Sequence, residues 1–344
     1  MYEDIVKRII RLLDEDTMSA SYPKFSGRGY RAHKIDARNF HDIKERADGK
    51  KIAFVDGGNA EILGSGNFSL SLIRSSCIIC KDNKRVMVKK LEEVAFTQAI
   101  NIENEIFYKT SFSDSKNSFT LGDIILSSYD RTLMVGAGRV KISRVPGAIR
   151  RFLELTIAKT VSDNRLADMI VLDGDLQSTM TNENTYLNQL YESCTRNNVI
   201  LTALSKTSSI FTDNGNLLSV VLNSIGPNTM WFYYPVAEVN DKNHRAEIMF
   251  VKFHEKSKHV FRFEIFNAQA SKSEETVCSL AGNCKDPIFM GYPYGLVEAD
   301  KIARVSNQEK DSLKTMFLVK LKNKNIEKYL STVSAHEILD KISF

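Results

Sequence analysis

The stretch Lys51-Ile-Ala-Phe-Val-Asp56-Gly-Gly58 decides how this chain is read. Four apolar residues in a row, bounded by a lysine and by an acid with two glycines, fit a short buried strand with its carboxylate at the C-terminal end. Asp168-Met-Ile-Val-Leu-Asp173-Gly174 repeats the pattern. In an open α/β sheet ligands bind outside the carboxyl ends of the strands, so both acids are candidates for chemistry. Taken singly, either Asp reads equally well as a turn former or a helix cap.

Working outward, Gly64-Ser-Gly66 is a turn signal. It predicts a long second strand over 67–81, with further strands over 85–91 and 105–112, an antiparallel set opened by the Asp56 strand. Pro146 opens a helix over 147–160 whose apolar residues are Ile149, Phe152, Leu153, Leu155 and Ile157. A second helix over 181–196 carries the stripe Leu187, Leu190, Tyr191 and Cys194, and 198–206 is a third buried strand. The resulting order, β-β-β-α-β-α-β, is ribonuclease-H-like and predicts a mixed sheet with right-handed crossovers in its parallel part. Beyond it the chain is strand-rich at 231–235, 247–255 and 260–268. The tail is helical, with capping boxes at Ser306…Glu309 before 312–322 and Ser334…Glu337 before 338–342. The expected organisation is an α/β core over about 51–210, then a β-rich extension and C-terminal helices over about 211–344. Residues 1–50 precede it as an amphipathic helix (Ile5, Ile9, Leu12, Leu13) and an irregular basic arm.

Composition bounds the function classes. The 344 residues are 43% hydrophobic, enough for a real core, which excludes global disorder. No run of about 18 uncharged apolar residues occurs, so no transmembrane helix is expected. With 47 Lys and Arg against 42 Asp and Glu, the net charge of +5 permits a polyanionic partner without demanding one. Basic residues gather at Lys24, Arg28, Arg31, Lys34, Arg38, Lys44 and Arg46. That segment reads as a solvated loop or as a nucleic-acid-facing surface, with Arg28 and Arg31 as DNA contacts. Five cysteines, an odd number in a chain this long, suggest reduced thiols and an intracellular protein. Cys77 and Cys80 form a C-x-x-C, but on a strand that spacing puts them on opposite faces, a poor chelate. Buried thiols are the better reading.

Asp56 and Asp173 brought close would repel, and both stay ionised most easily with a cation between them. Hard divalent cations take oxygen ligands, which points to Mg²⁺ or Mn²⁺. Glu154 lies among apolar neighbours in the intervening helix. It either aims at the same edge or pairs with Arg150 at i,i+4 on a solvated face. Lys206 ends the third strand, as a contact to a DNA backbone or as an ordinary exposed lysine. Tyr292, just before Pro293, either meets a phosphate or base or packs as a core aromatic.

At this point a family resemblance becomes specific. The chain resembles the NurA nucleases of archaea and some bacteria in Phe-Val-Asp56-Gly-Gly, the helix around Glu154, Val-Leu-Asp173-Gly-Asp-Leu and Ala-Leu-Ser-Lys206-Thr-Ser. Further matches are Gly-Tyr292-Pro-Tyr-Gly-Leu-Val-Glu-Ala-Asp300-Lys-Ile-Ala and Ala-His336-Glu-Ile-Leu-Asp, all in the family's order. The resemblance implies a ribonuclease-H-like fold and Mn²⁺-dependent cleavage of DNA, with Mg²⁺ as the alternative ion. It implies single-strand endonuclease and 5′–3′ exonuclease activity in double-strand-break end resection. It also implies a homodimer, docking onto a HerA-type hexameric ATPase, and a cytoplasmic, nucleoid-associated location. Carried over by position, Asp56, Glu154 and Asp173 are metal ligands, Asp300 is a fourth metal-proximal residue, and Tyr292 joins the catalytic set. Some members place His at the Asp300 position, which makes His336 a substitute ligand.

Three rival readings stand beside it. Asp173-Gly-Asp175 after an apolar strand resembles the nucleophile motif of haloacid-dehalogenase-type phosphatases. Asp56-Gly-Gly resembles the phosphate hairpin of actin-like ATPases. A non-catalytic docking subunit of a DNA translocase is the third.

Overall fold

The structure, a computed structural model, describes residues 2–14, 21–113 and 121–322. It divides into two units: Met1–Asp48, Gly174–Gln177 and Thr202–Tyr294 form the first, and Gly49–Asp173, Ser178–Leu201 and Gly295–Phe344 the second. In chain order, α1 (Glu3–Asp14) precedes the short strands β1 (Pro23–Lys24), β2 (Tyr30–Ala32) and β3 (Phe40–Asp42). Next come β4 (Lys51–Gly64), β5 (Phe68–Lys81), β6 (Lys84–Ile102), β7 (Glu105–Phe112) and β8 (Ile124–Ser127). Then α2 (Val145–Asp163), β9 (Met169–Asp173), α3 (Glu183–Asn197) and β10 (Ile200–Ser205) alternate. They are followed by β11 (Phe211–Thr212), α4 (Leu218–Ile225), β12 (Trp231–Tyr233), β13 (Ala237–Val239), β14 (Ala246–Lys252) and β15 (Phe261–Phe266). The last described elements are α5 (Ser273–Ala281), α6 (Tyr294–Ala303) and α7 (Asn307–Leu321).

In the second unit the strands run in the order β9-β4-β5-β6-β7-β8. β4 pairs parallel with β9, from Ile52↔Met169 to Val55↔Leu172, and antiparallel with β5. This is the expected mixed arrangement. Two-residue turns at Asp82-Asn83 and Glu103-Asn104 link β5, β6 and β7. All four residues have positive φ, as the hairpin turn that matches strand twist requires. Helix α2 carries Pro146 in its first turn and buries residues on nearly all sides, including Ile149, Phe152, Leu153 and Leu155. A helix that is apolar all round belongs inside, and α2 packs on β4, β5 and α3. The Ser306 hydroxyl accepts from the Glu309 amide (3.1 Å), so α7 begins right behind the predicted cap rather than at 312. Arg74 on β5 holds this end of α7, donating to Glu309 (2.5 Å), Glu92 (2.7 Å) and the Arg304 carbonyl (2.9 Å).

In the first unit the order is β3-β12-β14-β15-β10, antiparallel throughout, with β10 joining through Thr202–Ser205. Two ribbons, β1–β11 and β2–β13, complete it. Its core holds Trp231, Tyr233, Ile248 and Phe250 with Leu218 and Leu222 of α4. Phe40 sets its ring edge-on to Trp231 (4.8 Å) and Tyr233 (4.9 Å).

Three expectations need correction. The arm over 16–50 is not wholly irregular: β1, β2 and β3 lie in it, each paired with a strand far later in the chain. Such pairing leaves no local periodicity to read. β6 extends well past 91, because Lys89, Lys90, Glu92 and Glu93 hide its alternation. Helices α4, α5 and α6 were not expected. The amphipathic helix α1 forms, with Ile5 and Ile9 about half exposed. The side chains of Leu12 and Leu13 and the helix expected over 338–342 lie outside the described residues. No helix among the described residues is long and apolar enough to cross a membrane. All five cysteines are buried free thiols, and burial pushes Cys77 to about 12 and Cys80 to about 11.

Candidate active site

Asp56 sits on β4, 4% exposed. The parallel register Val55↔Leu172 makes Asp173, the last residue of β9, its neighbour on the next strand. The two acids are therefore brought together by sheet pairing, but only Asp173 ends its strand: β4 continues past Asp56 and the two glycines to Gly64, held by pairing with β5, so the expected short strand ending at Asp56 is corrected. Asp56 Oδ1 accepts from the amide of Gly57 (2.7 Å). Side chains alternate along a strand, so Asp56 shares its face with Phe54 and Gly58. Helix α6 covers that face. A β-carbon at Gly58 would collide with the Ala303 carbonyl, and Ser76, the register partner of Asp56, donates to the Ala299 carbonyl (2.7 Å). Asp300 is the next residue of α6 and pairs with Arg304 (2.6 Å).

Gly57 faces the other way, toward α2. A β-carbon there would strike the carboxylate of Glu154, so the glycine is what lets this helix approach. Glu154 is 3% exposed. Arg150 Nη1 donates both to Glu154 Oε1 (2.8 Å) and to the Gly57 carbonyl (2.9 Å), tying helix to strand. Arg151 reaches Glu154 Oε2 at 3.5 Å and donates through Nε to Glu183 Oε1 (2.9 Å). Glu183 Oε2 in turn accepts from the amides of Thr179 (2.8 Å) and Met180 (3.1 Å). Burial pushes the Glu154 carboxyl up, Arg150 and Arg151 pull it down, Asp173 adds to the rise, and the net shift is upward. The pair with Arg150 thus forms as one of the two sequence alternatives had it, but on a buried face rather than a solvated one.

These carboxylates are oxygen donors of the kind a hard divalent cation takes. The upward shift of Glu154 comes first from burial, with Asp173 a lesser contribution. The donor types fit such an ion. In the structure the positive charge at Glu154 is that of Arg150 and Arg151, and Asp56 and Glu154 come to β4 from opposite faces. Among the described residues no group of three or more His, Cys, Asp and Glu side chains is arranged to hold a metal.

The remaining candidates lie in the first unit. Tyr292 is buried, stacked on Phe289 (4.9 Å, 20°) and edge-on to Phe261 (5.3 Å). The ammonium of Lys206 stands 5.7 Å from its ring centre. Arg28 is exposed, and Arg31 faces Glu238 at 3.7 Å. Asp175 Oδ1 accepts from the Gln177 amide (3.1 Å), a turn-forming contact. His336 lies outside the described residues. Sequence reasoning missed Arg151 and Glu183. Arg151 was visible at i,i+3 from Glu154; Glu183 had only its place in the first turn of α3 as a signal.

Comparison with known proteins places this geometry. The NurA domain model matches residues 50–305. No curated protein matches the sequence. The crystal structure of the NurA nuclease from Sulfolobus solfataricus shares the fold, with a TM-score of 0.55 at 13% identity over 93% of this chain and 94% of that one. Two weaker likenesses, both with a TM-score of 0.39, are to endonuclease V. One is the Ciona intestinalis enzyme in complex with inosine-containing DNA, at 12% identity over 79% of this chain and 89% of that one. The other is the catalytic domain of the human enzyme, at 10% over 78% and 89%. The domain match covers both acid-bearing strands, α2 and α6, and by it this chain belongs to the NurA family.

Proposed function

We propose that this chain is a DNA nuclease that hydrolyses phosphodiester bonds with Asp56, Asp173 and Glu154, assisted by Asp300. The observation that carries the reading is the register that sets Asp56 beside Asp173 on adjacent parallel strands, with Glu154 over the very next residue of β4. Family membership supports it. Mn²⁺ or Mg²⁺ would neutralise the phosphate oxygens and lower the pKa of a water; Asp56 and Asp173, neighbours in register, would be its first ligands, and Glu154, Asp300 and His336 further donors that would have to turn toward it. The protein's own contribution is placement. Arg150 locks Glu154 to the Gly57 carbonyl, and Arg151, itself fixed by Glu183, holds the second oxygen. A carboxyl kept in place on both sides can hold or pass a proton at a defined point.

Lys206, Arg28 and Arg31 supply exposed positive charge for sequence-independent contacts to the DNA backbone. The ring of Tyr292 beneath the Lys206 ammonium gives that lysine a fixed seat. The full reading is single-strand endonuclease and 5′–3′ exonuclease activity in end resection, by a homodimer working with a HerA-type hexameric ATPase. The NurA domain match favours the nuclease over the phosphatase alternative.

The test is the purified full chain with Mn²⁺ and end-labelled single-stranded DNA, alone and with a HerA-type ATPase. Cleavage in at least one arm is expected. No cleavage in either would overturn the reading.

A further inference from the structure

A cavity of about 510 Å³ lies wholly within the first unit. That volume is in the range of small-molecule sites, roughly 300–1,000 Å³. Its wall combines chemistry of three kinds. Lys24 brings one positive charge and Arg262 a second, already paired with Glu264, and Ser26 and Ser209 also line the wall. Phe211 offers an aromatic ring 46% exposed to solvent. It is the register partner of Lys24 across the β1–β11 ribbon, so cation and ring sit side by side. Gln177 and Asp241 add an amide and a carboxylate, which can read a polar edge or a sugar hydroxyl.

The wall is rigid where it matters. Tyr30, also in the lining, stacks face to face on Phe25 (4.7 Å, 5°) and hydrogen-bonds through its hydroxyl to His244 Nδ1 (2.8 Å). The Arg262 guanidinium is anchored to Glu264, which His244 also contacts (3.0 Å). A cation fixed by a buried ion pair costs little further ordering when it meets an anion.

We propose that this cavity binds a nucleoside monophosphate, either a free nucleotide or the terminal residue of a DNA strand. The phosphate would lie against Lys24, Arg262 and the two hydroxyls. The base would stack on Phe211, because every base has a π-face. An inorganic anion alone would leave the ring and the amide unused, and a purely apolar ligand would leave Lys24 without an anion. The inference goes beyond the nuclease reading: it needs no catalysis and no residue of the second unit.

The experiment is equilibrium dialysis of the full chain in EDTA against dAMP, inorganic phosphate and a 5′-phosphorylated tetranucleotide. Wild type, Lys24→Ala, Phe211→Ala and Asp56→Asn are compared. Lys24 and Phe211 are exposed, so their variants should fold, and thermal melting checks this. One dAMP per chain is expected, with about tenfold weaker binding in Lys24→Ala and in Phe211→Ala. Asp56→Asn should bind as wild type does. Inorganic phosphate should bind at least about tenfold more weakly than dAMP. Displacement of dAMP by the tetranucleotide supports the site and identifies a strand end as its ligand. Failure to displace, with dAMP still bound, supports it with free nucleotide as the ligand. No dAMP uptake at about 1 mM overturns the proposal, as does uptake unchanged in both cavity variants, uptake abolished by Asp56→Asn, or phosphate binding as tightly as dAMP.

Discussion

Glu154 and Glu264 are both buried glutamates with an arginine close by, one in each unit, yet their carboxyls are pushed in opposite directions. For Glu264 on β15, burial alone would raise the carboxyl. Arg262, His244 and the Leu176 amide outweigh it and bring the group down to about 2. Every partner around it is a donor or a cation. For Glu154 burial wins: two arginines oppose it, but Asp173 adds negative charge from the same neighbourhood and the carboxyl stays raised. The difference teaches what each acid is for. Glu264 is fully compensated and serves as a fixed joint between β15, the Leu176 backbone and His244. Glu154 stays raised by burial beside a second acid despite two arginines, the setting on which the proposed function draws.

The comparison can be broken in several ways, beginning with the largest effect. Glu154→Gln should reduce DNA cleavage by about 10³-fold, the scale of several kcal/mol of transition-state charge stabilisation. Its melting temperature should not fall below wild type at the pH of the assay; a variant that cleaves normally would dissolve the contrast. Glu264→Gln should do the reverse. Leaving Arg262 buried without its anion should cost about 3–5 kcal/mol of stability, measured by urea denaturation, with cleavage per folded molecule unchanged.

The pH dependence sharpens the same point. A carboxyl lowered in the folded state contributes stability that is fully present above its unfolded value, 4.5, and is lost as pH falls toward about 2. The stability gap between wild type and Glu264→Gln should therefore shrink across that window. A raised carboxyl behaves oppositely: the folded state holds its proton more tightly, so stability declines as pH rises above 4.5. Glu154→Gln should remove that decline, seen as a melting temperature that gains on wild type as pH climbs. The smallest effect belongs to Arg150→Ala. Its side chain is about a third exposed, so the lost pair should cost no more than about 1 kcal/mol, while the Glu154 carboxyl moves further up.

The two acid-bearing strands and α2 are legible in the sequence; the contrast between the glutamates is not, for physical reasons. Asp56 and Asp173 stand out because each follows an apolar run, although only Asp173 closes its strand, and the parallel register then does the rest. Helix α2 was legible from Pro146 and its apolar run. That Glu154 would lie on a buried face was not, because a helix apolar nearly all round offers no stripe from which to read its inward side. The setting of Glu264 was invisible. Its partners His244, Arg262, Leu176 and Tyr30 come from separate segments, and only the fold assembles them. The same applies to β1, β2 and β3, whose strand character exists only in pairs with β11, β13 and β12. α6 offers no stripe to read, because it meets β4 through small residues, Gly295 against Phe54 and Ala303 against Gly58.

The most direct measurement is the rate of DNA cleavage, in the presence of Mn²⁺, by Asp56→Asn and Asp173→Asn against wild type, each normalised to folded protein by thermal melting. The account predicts that both variants melt close to wild type and lose about 10³-fold or more in rate. Cleavage at the wild-type rate by either folded variant would contradict it.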